Sequence, residues 1–206
     1  MKNMHIHNLF VTAVFLLAVG MCIGWADSWD ELKRAAGTVT SVQAGFVQEK
    51  HMKILARPLV SEGVLLFQAP DSLRWEYQHP VQSVLLLHKG KTRRFVQKSG
   101  RLVEDASANL QSMQVIIQEI TRWLNGRFDE NPTFEARLAP GRKIVMVPRD
   151  ESFARLIQRI EILLSDRPAV IKSVMIFEGE DSYTKLDFKD VILNQKLDEA
   201  LFRKVN

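Results

Sequence analysis

The residues most able to do acid–base or metal chemistry are three histidines beyond the amino end, His51, His79 and His88. A zinc site needs three or four close N or S ligands, and these three have neither cysteine partners nor close His/Asp spacing. His88 follows "SVLLL" beside Lys89-Gly90, the end of a hairpin, where a solvated side chain is expected. His79 precedes Pro80 at the end of a strand-like run. Carboxylates working in pairs are the other candidates. Glu178, Glu180 and Asp181 crowd around Gly179 as a hairpin tip would, and Asp187 and Asp190 read as outward positions beside Leu186 and Phe188. No G-x-S-x-G elbow, H-E-x-x-H helix, Walker loop or G-x-G-x-x-G turn occurs. The expectation is no catalytic residue, no metal and no cofactor.

What remains is apolar surface. "FQAPDSLRWEYQHP" sets Leu73, Trp75 and Tyr77 on alternate positions of one short segment bounded by Pro70 and Pro80. Alternation places them on one face of a strand. Phe46, Phe67, Phe95 and Met146 fall on similar runs. Each taken singly is more readily a core residue than a ligand contact. Taken together they outnumber what the available helices can cover.

Those helices are few. After an amphipathic segment at Trp29–Ala36, strand-like runs follow at even spacing: "SVQAGFVQEK", "SEGVLLFQ", "SLRWEY", "SVLLLH", "TRRFVQ" and "RLVE". Gly90 and Gly100 mark tight turns between them. The pattern predicts an antiparallel meander. "NLQSMQVIIQEITRWLNG" then puts Leu110, Met113, Ile116 or Ile117, Ile120 and Trp123 or Leu124 at helical spacing, with Gly126 as the stop. Further strands follow in "TFEARL", "KIVMV", "LIQRIEILL", "AVIKSVMIFE" and "SYTKLDFKDVIL", and "LDEALFRK" closes with a turn of helix. A long antiparallel sheet with so little cover must curve onto itself. The fold class expected is therefore mainly β: a single-domain, incomplete antiparallel β-barrel with an α-helical lid.

The amino end reads as a secretory signal peptide over residues 1–26. Lys2 precedes the apolar run Leu9–Gly24, and Gly24 and Ala26 are the small residues before the cut. A membrane anchor is the alternative, but this run of 16 residues falls short of the ~20 that span a bilayer. The single cysteine, Cys22, lies within it behind bulky Met21, which argues against lipidation. Residues 27–206 would then be a soluble exported domain without disulfides. The chain holds 28 Lys+Arg against 24 Asp+Glu, and removing Lys2 with the leader leaves +3. The basic residues are scattered, so no nucleic-acid stripe is expected.

In the order of its parts the sequence resembles the LolA family of periplasmic outer-membrane lipoprotein carriers. The residues that carry the resemblance are Phe46, Gln48, Lys50, Gly63, Pro70, Leu73, Arg74, Trp75, Pro80 and Lys89-Gly90, roughly the first 65 residues of the mature chain. The resemblance implies an acyl-chain cavity lined by Phe46, Phe67, Leu73, Trp75, Tyr77 and Phe95, with Met113, Ile117 and Ile120 on a lid helix over Leu110–Leu124. It implies a monomer in the periplasm of a Gram-negative bacterium, carrying a lipoprotein or lipid from an inner-membrane donor to an outer-membrane acceptor. The donor would be an ABC-type transporter or another lipid exporter, and no reaction would occur. One departure stands out: Ala69 occupies the position where the best-known carriers have an arginine that latches the lid. "LARPLVSEG" is also closer to divergent LolA-like proteins that accompany lipid exporters. Two other readings are a lipid hydrolase or isomerase working inside the barrel, marked by a polar pair with His79 or His88, and a structural adaptor with a filled barrel.

Overall fold

The computed structural model describes residues 28–105, 118–167 and 169–205. Helix α1, Trp29–Ala36, begins at Ser28, whose hydroxyl accepts from the Glu31 backbone N–H at 3.3 Å. Asp30 and Glu31 complement the positive end of its dipole. Its Leu32 and Ala36 are buried.

Six strands follow: β1 Ser41–His51, β2 Leu59–Gln68, β3 Ser72–His79, β4 Ser83–His88, β5 Lys91–Lys98 and β6 Arg101–Glu104. The β4–β5 turn has positive φ at both Lys89 and Gly90, the geometry of the two-residue turns that match strand twist. Residues 118–124 then form helix α2. The second half comprises β7 Phe134–Ala139, β8 Lys143–Pro148, the short helix α3 Glu151–Ala154, β9 Arg159–Leu164, β10 Ile171–Gly179 and β11 Ser182–Leu193. A 3₁₀ turn at Glu199–Phe202 follows.

All eleven strands belong to one sheet in the order β6-β5-β4-β3-β2-β1-β11-β10-β9-β8-β7. Each half is a meander, and the pairing of β1 with β11 joins them. Among the described residues β6 and β7 are the two edge strands of the sheet, so the barrel is open. Leu73 and Trp75 of β3 belong to one continuous buried cluster that runs along the sheet to Ile144 and Met146 of β8, six strands away.

Register decides which side chains face inward. On β1, Val42, Ala44 and Phe46 are buried, and Gln48 and Lys50 continue the same face. Phe46 lies directly opposite Gly63 of β2. A Cβ at Gly63 would stand 2.6 Å from Phe46 Cζ and 2.0 Å from the Glu76 carbonyl oxygen, so only glycine fits beneath this ring.

The outer face of β4 and β5 is also apolar. Val84, Leu86 and Phe95 form a second buried cluster with Leu102 and Val205. The carboxyl end covers it, held by Arg74 Nη1 donating to the Leu201 and Lys204 carbonyls, both at 3.0 Å, and by Arg93 Nη1 donating to Arg203 at 3.1 Å. Phe202 is buried beneath this strap.

Candidate ligand cavity

A cavity of about 300 Å³ lies between the concave face of the sheet and α2. That volume is at the lower end of small-molecule sites. The sheet supplies Val42 and Ala44 from β1, Leu73, Trp75 and Tyr77 from β3, Leu85 from β4, and Leu186 and Phe188 from β11. Helix α2 supplies Ile120, Trp123 and Leu124. One helical face thus closes over the strands.

The two ends differ. Strands β1 and β11 run antiparallel, with Val42 opposite Leu193 at one end and Lys50 opposite Thr184 at the other. The first end is apolar, formed by Val39, Val42, Val170, Ile171, Val191 and Leu193. The second carries Gln48, Lys50, Ser83, Arg94, Glu178 and Thr184. There Lys50 Nζ sits 3.1 Å from Glu178 Oε2, and the Thr184 hydroxyl donates to Glu178 Oε1 at 3.1 Å. Tyr77 donates its hydroxyl to Gln48 Oε1 at 2.8 Å. Burial pushes the Tyr77 phenol above its ordinary pKa, while the Trp75 indole and the Arg94 charge partly offset that.

The cover is tied down at both sides. Asn125, just past α2, donates to the Pro70 carbonyl at 3.0 Å and to the Thr121 carbonyl at 2.7 Å. Buried Glu119 accepts from Arg122 Nη1 at 2.6 Å and from Asn131. Asn131 in turn accepts from the Thr133 and Phe134 backbone N–H groups, both at 2.9 Å. Lys33 of α1 reaches Asp129 at 2.9 Å and Glu130 at 3.0 Å, and Trp29 stacks on Phe128.

Of the residues expected to line an acyl cavity, Leu73, Trp75, Tyr77 and Ile120 do line this one. Three expectations need correcting. Phe46 points inward but does not line the cavity; its ring packs 4.7 Å from that of Trp75 and 5.2 Å from that of Tyr77, behind the wall those two form. Phe67 is likewise wholly buried in the main core. Phe95 faces the other side of the sheet. Its directly opposite partner is Val84, whereas Arg94 pairs with Leu85 and faces inward. Met113 and Ile117 lie outside the described residues. Sequence reasoning missed Arg94, Lys50 and Glu178 at the polar end, although the alternation Val42, Ala44, Phe46, Gln48, Lys50 already placed Lys50 on the inward face.

Neither His79 nor His88 lines the cavity. His79 is exposed. His88 lies at the outer strap, with Nδ1 2.9 Å from the Ser72 hydroxyl and Nε2 3.2 Å from Glu199 though not aligned for a hydrogen bond. Among the described residues, no three His, Cys, Asp or Glu side chains are placed to hold a metal.

The sequence model of the family described as "Outer membrane lipoprotein carrier protein LolA" matches residues 37–205. A search of the curated proteins gives no match. Solved structures with similar folds include a DUF1329 family protein from Desulfovibrio piger, at 9% identity over 84% of this chain and 95% of that one, TM-score 0.46. A LolA superfamily protein from Nitrosomonas europaea has 11% identity over 86% and 98%, TM-score 0.42. The Mycobacterium tuberculosis lipoprotein LppX has 11% identity over 82% and 94%, TM-score 0.44.

Proposed function

The chain belongs to the family of the outer membrane lipoprotein carrier protein LolA, and from that premise we propose that it is a carrier of lipid or lipoprotein acyl chains. One observation carries the reading: an apolar cavity lies between a curled sheet and a covering helix, with polar groups gathered at one end. Aliphatic and aromatic side chains suit hydrocarbon, and a one-sided polar rim suits a molecule with a head and a tail.

The magnitude explains why such a protein is needed. Burying an acyl chain is worth about 0.8 kcal/mol per CH₂. A chain of ~15 methylenes in water is therefore unfavourable by on the order of 12 kcal/mol. A shuttle must cover that surface and still release it, which favours a covered groove over a fully packed core. No bond is made or broken in such a cycle.

In this proposal residues 1–26 direct export and residues 27–206 form a single periplasmic domain, acting as a monomer. It takes cargo from an inner-membrane exporter, ABC-type or other, and hands it to an outer-membrane acceptor. The direct test is displacement of a fluorescent fatty-acid probe from delipidated protein. Saturable, one-to-one displacement by a diacyl lipid is expected. No probe uptake by folded protein would overturn the reading.

A further inference from the structure

The β1–β2 hairpin runs past its neighbour in the sheet. Leu59 pairs with Lys50 and Val60 with Glu49, whereas the last pair between β2 and β3 is Glu62 with His79. Residues 52–60 therefore project beyond β3, and Ile54, Leu55, Leu59 and Val60 among them are exposed, Ile54 at 87%. The connection is a built turn. The Leu55 N–H donates to the Met52 carbonyl at 2.9 Å, and the Lys53 N–H donates to the Ser182 hydroxyl of the β10–β11 hairpin at 3.4 Å. Single exposed aliphatic side chains are ordinary, but several gathered on a fixed turn mark a surface that something else covers.

Two further apolar tips stand at the same end of the sheet. Val81, 63% exposed, lies two residues before Ser83, which lines the polar end of the cavity. Leu156, 66% exposed, lies two residues before Gln158, whose N–H donates to the Phe177 carbonyl at 2.7 Å, next to polar-end Glu178. Lys50, opposite Leu59, is a polar-end residue too. Three connections thus carry exposed aliphatic groups beside the polar end of the cavity.

We propose that these connections dock the protein on a phospholipid bilayer, with Ile54 and Leu55 entering the acyl boundary and Arg57 and Arg155 lying among anionic head groups. Charge favours this occupant. Residues 52–60 hold Lys53 and Arg57 and no acid, and residues 155–158 hold Arg155 and no acid. Glu180 and Asp181 lie 3.9 Å from Lys53 Nζ, so Arg57 and Arg155 supply most of the attraction. Aliphatic side chains flanked by basic ones suit the boundary between head groups and hydrocarbon. The proposal goes beyond the carrier reading, which concerns the cavity alone: it gives an acyl chain a way from bilayer to cavity that avoids open water.

The test is flotation of the protein, recovered from its own cells, with vesicles of phosphatidylcholine alone or mixed equally with phosphatidylglycerol. Uptake of the fluorescent fatty-acid probe is read on the same samples. Every form carries the same amino end, so differences report the substituted residues. The unaltered protein should bind the mixed vesicles saturably, and joint Ile54→Ser and Leu55→Ser substitution should weaken binding by about tenfold or more. Ile54→Ser alone, at so exposed a position, should weaken it several-fold without touching the fold. Arg57→Ser should weaken binding to the mixed vesicles and not to phosphatidylcholine. Ile192→Ser, an exposed aliphatic change at the opposite end of β11, should alter nothing. No vesicle binding by the unaltered protein, or equal binding by the Ile54 and Leu55 variants, would overturn the inference, and probe uptake in those samples would leave the carrier reading intact. Variants that bind vesicles as before but lose a cross-link to an envelope protein would assign these tips to a protein partner and overturn it as well. Vesicle binding that depends on Ile54 and Leu55, with no probe uptake by any form, would support this surface and overturn the carrier reading.

Discussion

Asn125, at the end of the covering helix, donates to the carbonyl of Pro70 at 3.0 Å, so the cover is bonded to the turn between β2 and β3. That turn also holds Ala69, whose small side chain packs on the core and offers no latch. The connection therefore runs from helix to sheet through a side chain of the helix. Asn125→Ala removes this bond and one to Thr121. The expected outcome is a stability loss of about 1 kcal/mol and a several-fold faster release of bound acyl probe in stopped flow. Unchanged release would mean that α2 does not gate the cavity.

Leu73 and Leu85 both line the cavity, but they differ in what lies behind them. Leu73 is wholly buried in the main core, and a carboxylate there is stranded. Leu85 is half-buried and faces Arg94 directly across β5. Leu73→Glu is expected to cost about 3 kcal/mol or more of folding stability. Leu85→Glu should fold almost normally, because Arg94 can pair the new charge, and should weaken acyl binding by at least about tenfold. Urea unfolding and probe titration of both variants check this. Similar folding losses for the two would assign Leu85 to the core.

How much of this was legible in the sequence depended on which physical signal each feature left. Period-two alternation located the strands, from Ser41–His51 through Ser182–Leu193, because half-buried strands must alternate. Helix α3 escaped, since four residues after the Asp150 cap are too few to show a period. Phe95 was assigned to the wrong face for a different reason. β5 reads Thr-Arg-Arg-Phe-Val, and its parity is set only by its register with β4. The outer face there is buried by the carboxyl-terminal strap, so hydrophobicity no longer marks the inside. Lys50 and Glu178 belong to strands far apart in sequence, and only the pairing of both β1 and β10 with β11 brings them to one end of the cavity.

Gly63 lies under the Phe46 ring and against the Glu76 carbonyl. Gly63→Ala should destabilise the protein by about 1–3 kcal/mol, since β2 and β3 must separate to admit the methyl. The Phe46 ring would shift toward Trp75, and tryptophan fluorescence should report it. A neutral substitution by chemical denaturation would contradict this packing.

Tyr77 supplies the pH dependence. Burial holds its phenol neutral above the ordinary value of 10.0, against the smaller opposing effects of Trp75 and Arg94. The folded protein keeps this proton more tightly than the unfolded chain does. Its contribution is therefore complete below the unfolded pKa and is lost as pH rises from there through the folded value. Stability measured from about pH 9 upward should fall, and Tyr77→Phe should flatten that fall. An unchanged slope in the variant would place the titration elsewhere.

The central claim is that this cavity carries acyl chains in the cell. Native mass spectrometry of the protein recovered from its own cells, without detergent, tests it most directly. The expected spectrum shows one protein chain with an added mass that fragments to fatty acyl groups, and the Leu85→Glu variant should lose that mass while remaining folded. A folded protein recovered consistently without any acyl-bearing species, in both forms, would contradict the account.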